Sequence, residues 1–131
     1  MAVQHNNPAG VSKPVGYTHV VTAETTRTVY VAGQVATNAQ GELVGPGDLS
    51  KQAEQVFENL KACLTSAGAT FDNVVKMNTY IVNYKPEDRA VIVEMRERYL
   101  SGDKPPAATL VGVQALARAD FMIEIEVIAT L

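Results

Sequence analysis

The chain predicts a single α+β domain over residues 1–131, with element order β-β-α-β-α-β-β and two helices on one face of a sheet of five or six strands. Three observations carry that reading. Residues 121–131 alternate strictly: Phe121, Ile123, Ile125, Val127, Ala129 and Leu131 face one way, Met122, Glu124, Glu126, Ile128 and Thr130 the other. Period two over that length is a strand signal. Ala53, Val56, Phe57, Leu60, Cys63 and Leu64 recur at three- and four-residue spacing, the stripe of a helix with one buried face. Finally, 131 residues with 47% hydrophobic and 19% charged content can bury a core without disulfide staples.

Taken in order, residues 1–15 read as a polar, extended arm. Strand-forming residues at Thr18–Thr22 and Thr26–Ala32 flank the polar Ala23-Glu24-Thr25, which predicts a hairpin. Gly33 ends the second strand, where a missing side chain lets another group approach the backbone. Two turn signatures make residues 36–48 a surface loop with room for a short strand at Glu42-Leu43-Val44. Asp48 or Ser50 caps the first helix, Glu54 sits early where the helix dipole favours it, and Gly68 closes the helix in a left-handed conformation. Cys63 falls on the buried stripe as a small core hydrophobe.

Val74–Val82 is the next strand, with Val75, Met77, Thr79 and Ile81 on one face. Pro86 near N1, followed by Glu87 and Asp88, opens a second helix to about Leu100 that buries Val91, Ile92, Met95 and Tyr99. Pro105 and Pro106 then hold the chain extended into Thr109–Val113. A polar break, Gln114–Asp120, predicts a terminal hairpin with the last strand. Two helices cover only one face of such a sheet, and packing the other against further copies is the simplest way to cover it.

Eleven basic against fourteen acidic residues leave a net charge of −3 with no basic cluster, which argues against a nucleic-acid partner. One cysteine excludes an internal disulfide and suits a reducing compartment. The first ten residues lack the basic and apolar regions of a signal peptide, and no apolar run approaches the ~20 residues of a membrane span. The cytoplasm is the expected address. Phosphate loops, nucleophile elbows and paired metal ligands are missing, and His5 and His19 are isolated, so neither a metal nor another cofactor is expected. Glu124, between Ile123 and Ile125, is either a solvated or paired strand residue or a carboxylate held for proton transfer. Glu126 reads as structural. Tyr17, beside Gly16, reads as packing or as a pocket wall.

A family pattern runs nearly end to end. Pro14-Val15-Gly16-Tyr17, Val31-Ala32-Gly33-Gln34, Gly41-Glu42-Leu43-Val44, Gln52-Ala53, Asn59-Leu60-Lys61-Ala62, Ala67-Gly68-Ala69 and Val74-Val75-Lys76 resemble successive motifs of the Rid/YjgF family. Pro106-Ala107 and Ile123-Glu124-Ile125-Glu126-Val127-Ile128-Ala129 complete the resemblance. These are the reactive-intermediate deaminases, some labelled L-PSP endoribonucleases. The resemblance implies a mixed sheet in a chorismate-mutase-like fold and a homotrimer with ligand clefts between subunits. It also implies hydrolysis of 2-imino and 2-enamino acids to 2-keto acids and ammonia. In the family an arginine after Pro-Ala clamps the substrate carboxylate, and a tyrosine lines the cleft. A backbone carbonyl two residues past the arginine and the first glutamate of Glu-Ile-Glu hold the attacking water. Carried over, these roles fall on Tyr17, Leu110 and Glu124, with Gly33 as a backbone contact.

The clamp position holds Ala108 instead of arginine. An asparagine common on the second helix is replaced by Val93, and the loop before Glu124 is one residue longer, with Arg118 in it as a candidate substitute cation. The sequence therefore points to a cofactor-free imine or enamine hydrolase using Glu124, with the ordinary 2-imino acid reaction impaired. A non-catalytic metabolite-binding or chaperone-like trimer is the alternative, and an endoribonuclease the third reading.

Overall fold

The computed structural model of the protein describes residues 2–131 and contains six strands and two α-helices. β1 (Ala2–Asn6) and β2 (Val20–Glu24) form a two-stranded antiparallel ribbon. β3 (Thr28–Gln34), β4 (Val74–Val82), β5 (Ala107–Val113) and β6 (Ile123–Thr130) form a mixed sheet in the order β3-β6-β4-β5. Helices α1 (Leu49–Ser66) and α2 (Arg89–Tyr99) lie on one face of that sheet. The α+β class and helix placement are those expected. The strands, however, divide between two sheets, and the supposed arm supplies an additional strand, β1.

Two expected hairpins do not form among the described residues. β2 pairs with β1 from Val20↔Asn6 to Glu24↔Ala2, whereas β3 pairs with β6. The intervening Thr25-Thr26-Arg27 lacks the Gly or Asn that a tight hairpin turn favours, so nothing local folds β3 back on β2. At the other end, β5 and β6 both pair with β4, β5 in parallel and β6 antiparallel. The α2 crossover carries the chain back to the starting edge of β4, which makes β5 parallel. β6 then enters the middle of the sheet.

The alternation of the last strand is realised: Ile123, Ile125, Val127 and Ala129 are buried beneath the helices. They pack with Val56, Phe57, Leu60 and Leu64 of α1, Ile92 and Met95 of α2, and Met77 and Ile81 of β4. Burying each such large side chain contributes roughly 1.5–3 kcal/mol. A register shift between Val74 and Lys76 changes the phase of β4, so Val74 is buried and Val75 only half-buried. Cys63 is half-buried against this core.

The ends of α1 follow local chemistry. Asp48 accepts a hydrogen bond from the Lys51 amide at 3.0 Å. At the other end Gly68, at φ +77°, and Ala69 donate to the carbonyls of Thr65 and Leu64, closing a Schellman turn. Glu54 lies beyond the first turn, and its carboxylate pairs instead with Arg98 of α2 at 2.6 Å. Pro86–Asp88 form a 3₁₀ turn leading into α2. The loop before α1 carries a single bridge, Thr37↔Leu43, in place of a strand.

The sheet face opposite the helices is open. Tyr30 is 77% exposed there, and Lys76, Asn78, Tyr80, Val111, Glu124 and Glu126 share that face. No helix among the described residues is long and apolar enough to cross a membrane.

Candidate functional site

Glu124 and Gly33 meet where the β3–β6 ladder is irregular. Val31 pairs with Val127 and Gln34 with Ile125, so β3 carries one residue more than β6 between these pairs. Such a bulge re-aims side chains, and here it sets the Glu124 carboxylate against the backbone of Gly33. A Cβ at residue 33 would stand 2.0 Å from Glu124 Oε2, 2.8 Å from Cδ and 3.0 Å from Cγ. Only glycine leaves the carboxylate that position. The group admitted by the absent side chain is therefore Glu124 itself.

No cation neutralises it. The ion pairs among the described residues are Arg98–Glu54 and Arg118–Asp120. Opposite Glu124 in register is Tyr80, whose hydroxyl donates to Glu126 at 3.3 Å. Burial and the Glu126 carboxylate push the Tyr80 phenol above its ordinary value of 10.0, with a smaller contribution from Glu124. Glu126 is thus engaged by a neighbouring strand, while Glu124 faces the Gly33 backbone, half-buried and unpaired.

Two α1 amides hold the segments that carry this pair. Gln52 is fully buried; its Nε2 donates to the carbonyls of Gly45 (3.2 Å) and Asp120 (3.0 Å), and its Oε1 accepts from the Met122 amide at 2.9 Å. The strand start two residues before Glu124 is thereby tied to the helix. Asn59 Nδ2 donates to the carbonyls of Val35 and Thr37, both at 2.9 Å, and so fixes the chain just beyond Gly33. Sequence reading assigned no role to either amide. The available signal was a polar residue at a buried helical position, which requires hydrogen-bond partners from elsewhere in the fold.

The other expected site residues lie elsewhere. Thr18 donates from its amide to Pro106 (3.1 Å) and from Oγ1 to Pro105 (2.5 Å), latching the preceding Tyr17 beside the start of β5. Tyr17 packs edge-on against His19, ring centroids 5.2 Å apart. Ala108 and Leu110 pair with Met77 and Thr79, both buried, and so occupy the helix-bearing face of the edge strand. Glu124 pairs with Tyr80 on the open face. Ala108 is therefore three strand positions and two strands away, roughly 10 Å in each direction, and on the opposite face. One chain does not bring these residues together. Arg118 is held by its own loop, 3.3 Å from Asp120, 3.3 Å from the Gly41 carbonyl and 4.7 Å over the Phe121 ring. His5 lies on β1, and no group of three or more His, Cys, Asp or Glu side chains among the described residues is placed to hold a metal.

Comparison with known proteins decides the family. The sequence model described as Endoribonuclease L-PSP matches residues 10–131. The chain belongs to the Rid/YjgF family. A RutC family protein of Pyrococcus horikoshii is 36% identical over 119 residues, 89% of each chain. A mouse (Mus musculus) protein named 2-iminobutanoate/2-iminopropanoate deaminase is 36% identical over 104 residues, 79% of this chain and 73% of that one. Among solved structures, the Rid-family protein YyfB of Yersinia pestis superposes with a TM-score of 0.93 at 44% identity over 100% of both chains. RidA of an Antarctic Psychrobacter gives 0.71 at 34% identity over 92% of both.

This Rid-family chain carries one further polar cluster that sequence reading missed. Arg89 and Arg96 of α2, seven residues apart and hence on one helix face, line a pocket of about 460 Å³ with Val15, Gly16, Val93 and Pro105. Arg96 Nη1 would stand 3.6 Å from a Cβ at Gly16. Burial, and then repulsion from Arg89, lower the pKa of Arg96 from its ordinary value. The Arg89–Val93–Arg96 spacing was visible in the sequence, but nothing there indicated that the arm would fold over it.

Proposed function

We propose that this Rid-family protein hydrolyses an imine or enamine metabolite, releasing ammonia, at clefts between the subunits of a homotrimer, with Glu124 as the acid/base. The observation that carries the reading is the Glu124 carboxylate, unpaired and lying against the Gly33 backbone. The relatives named 2-iminobutanoate/2-iminopropanoate deaminase support the reaction class. The separation of Glu124 and Gly33 from Tyr17, Ala108 and Leu110 supports a cleft built from two subunits, the open face of one against the β5 edge of the next.

In such a cleft Glu124 and the Leu110 carbonyl hold a water molecule. The carboxylate takes a proton as the water oxygen bonds to the carbon of the protonated imine, giving a neutral carbinolamine. It then gives that proton to the nitrogen; as the C–N bond breaks and ammonia leaves, the carboxylate accepts the hydroxyl proton, the carbonyl forms, and the proton passes to the departing ammonia. Tyr17 walls the cleft. A charge-assisted hydrogen bond from the missing arginine is worth about 1.5–3 kcal/mol, so Ala108 weakens binding of a small 2-imino acid tenfold or more. The substrate is therefore a larger or less acidic imine than 2-iminopropanoate. Ala108 also favours a second reading, binding of a metabolite without turnover.

The test supplies 2-iminopropanoate, or a bulkier imine from an amino-acid oxidase, and follows trapping by semicarbazide. The native protein should accelerate loss of the bulkier imine and act poorly on 2-iminopropanoate. Glu124→Gln should abolish the acceleration, and Ala108→Arg should raise kcat/KM for 2-iminopropanoate at least about tenfold. Turnover unaffected by Glu124→Gln would overturn the mechanism. Light scattering that gave a monomer would remove the cleft.

A further inference from the structure

From the arginine pair on α2 we infer that the pocket under the N-terminal arm is a carboxylate-binding site for an organic acid with an apolar body. Arg89, Val93 and Arg96 succeed one another at four and three residues, so two guanidinium groups flank one apolar side chain on a single helix face. Among the described residues neither arginine is ion-paired; Glu97 reaches the same pocket but binds neither. Two like charges close enough to perturb each other are held together here without a protein anion between them. A carboxylate supplies the missing charge and accepts the forked hydrogen bonds that guanidinium groups offer. Val15, Val93, Leu100 and Pro105 supply the apolar wall.

The place of this pocket matters for the proposed reaction. Pro105 lines it, and Ala108 stands three residues further on, on the sheet face that carries α2. The positive charge that is absent from residue 108 is present on the neighbouring helix instead. The volume, about 460 Å³, exceeds what a three-carbon acid fills, so the ligand class is a 2-oxo or 2-imino acid with a branched or aromatic side chain. This class rests on the proposed deaminase reading; the carboxylate site itself does not.

Calorimetric titration of the full chain with 4-methyl-2-oxopentanoate tests the site, with its methyl ester and pyruvate as companions. The branched acid should bind saturably, and the ester and pyruvate at least tenfold more weakly. Arg96→Gln and Arg89→Gln should each weaken the acid at least tenfold, and Arg96→Lys should restore part of the loss. No binding of the acid, an ester that binds equally well, or an Arg96→Gln protein that binds like the native one would each overturn the inference. The ester comparison needs no variant, so misfolding of a variant does not rescue the idea. Arg96-dependent binding without any imine turnover would uphold the site and refute the deaminase reading. Turnover of a branched imine with KM unaltered by Arg96→Gln would do the reverse.

Discussion

Gly33→Ala separates catalysis from stability at the Glu124 position. The added methyl would lie 2.0 Å from Oε2, where ordinary contact begins near 3.4 Å, so the carboxylate must retreat by 3.4 − 2.0 = 1.4 Å. The group that moves is the far end of a flexible side chain, and Gly33 has no left-handed φ to strain. Holding Glu124 off its preferred rotamer costs about 0.5–1.5 kcal/mol. Restricting the unfolded chain offsets about 0.4–1 kcal/mol of that. Net stability should therefore change by no more than about 1 kcal/mol. Misplacing an acid/base by about 1 Å costs on the order of a hundredfold in rate. The expected result is a denaturation midpoint close to native with kcat/KM for the preferred imine reduced about a hundredfold. The double variant with Glu124→Gln should be no worse than Glu124→Gln alone, because both changes remove one function. Native activity in Gly33→Ala, or losses that multiply in the double variant, would refute the link between the glycine and the carboxylate.

Two further outcomes follow from buried polar contacts. Gln52→Leu strands the Met122 amide and the carbonyls of Gly45 and Asp120, so urea denaturation should show a loss of at least about 1–3 kcal/mol, and a loss under about 0.5 kcal/mol would remove the amide's assigned role. Tyr99 is pushed up to about 12, first by burial and then by its 2.6 Å hydrogen bond to Glu58. Because its folded value lies above the unfolded 10.0, its contribution to stability is complete below pH 10 and is lost as pH rises through 12. Phenolate absorbance should show one tyrosine titrating near 12, moving part of the way towards 10.0 in Glu58→Gln; an unchanged midpoint would refute the assignment.

Legibility varied with how local the cause was. The Asp48 cap, the Gly68 turn and the stripe from Ala53 to Leu64 depend on neighbours within a turn or two, and each appears where the pattern put it. The pairing of β2 and β5 did not, because alternation marks a strand without naming its partner. Glu54 illustrates the same limit: its place on the helix was readable, but Arg98, 44 residues away, was not. At the site, Gly33 announced a close approach, and only the fold identified Glu124 as what approaches.

The sequence by itself determined the family, the α+β class and the buried face of the last strand. These follow from residue identity and period, which need no third dimension. Tertiary structure alone decided that the bulge in β3 turns Gly33 towards Glu124. It alone set Ala108 on the opposite face from Glu124 and laid Val15 and Gly16 against Arg96. The physical reason is that strand order, register shifts and the path of the arm are chosen by contacts between segments tens of residues apart.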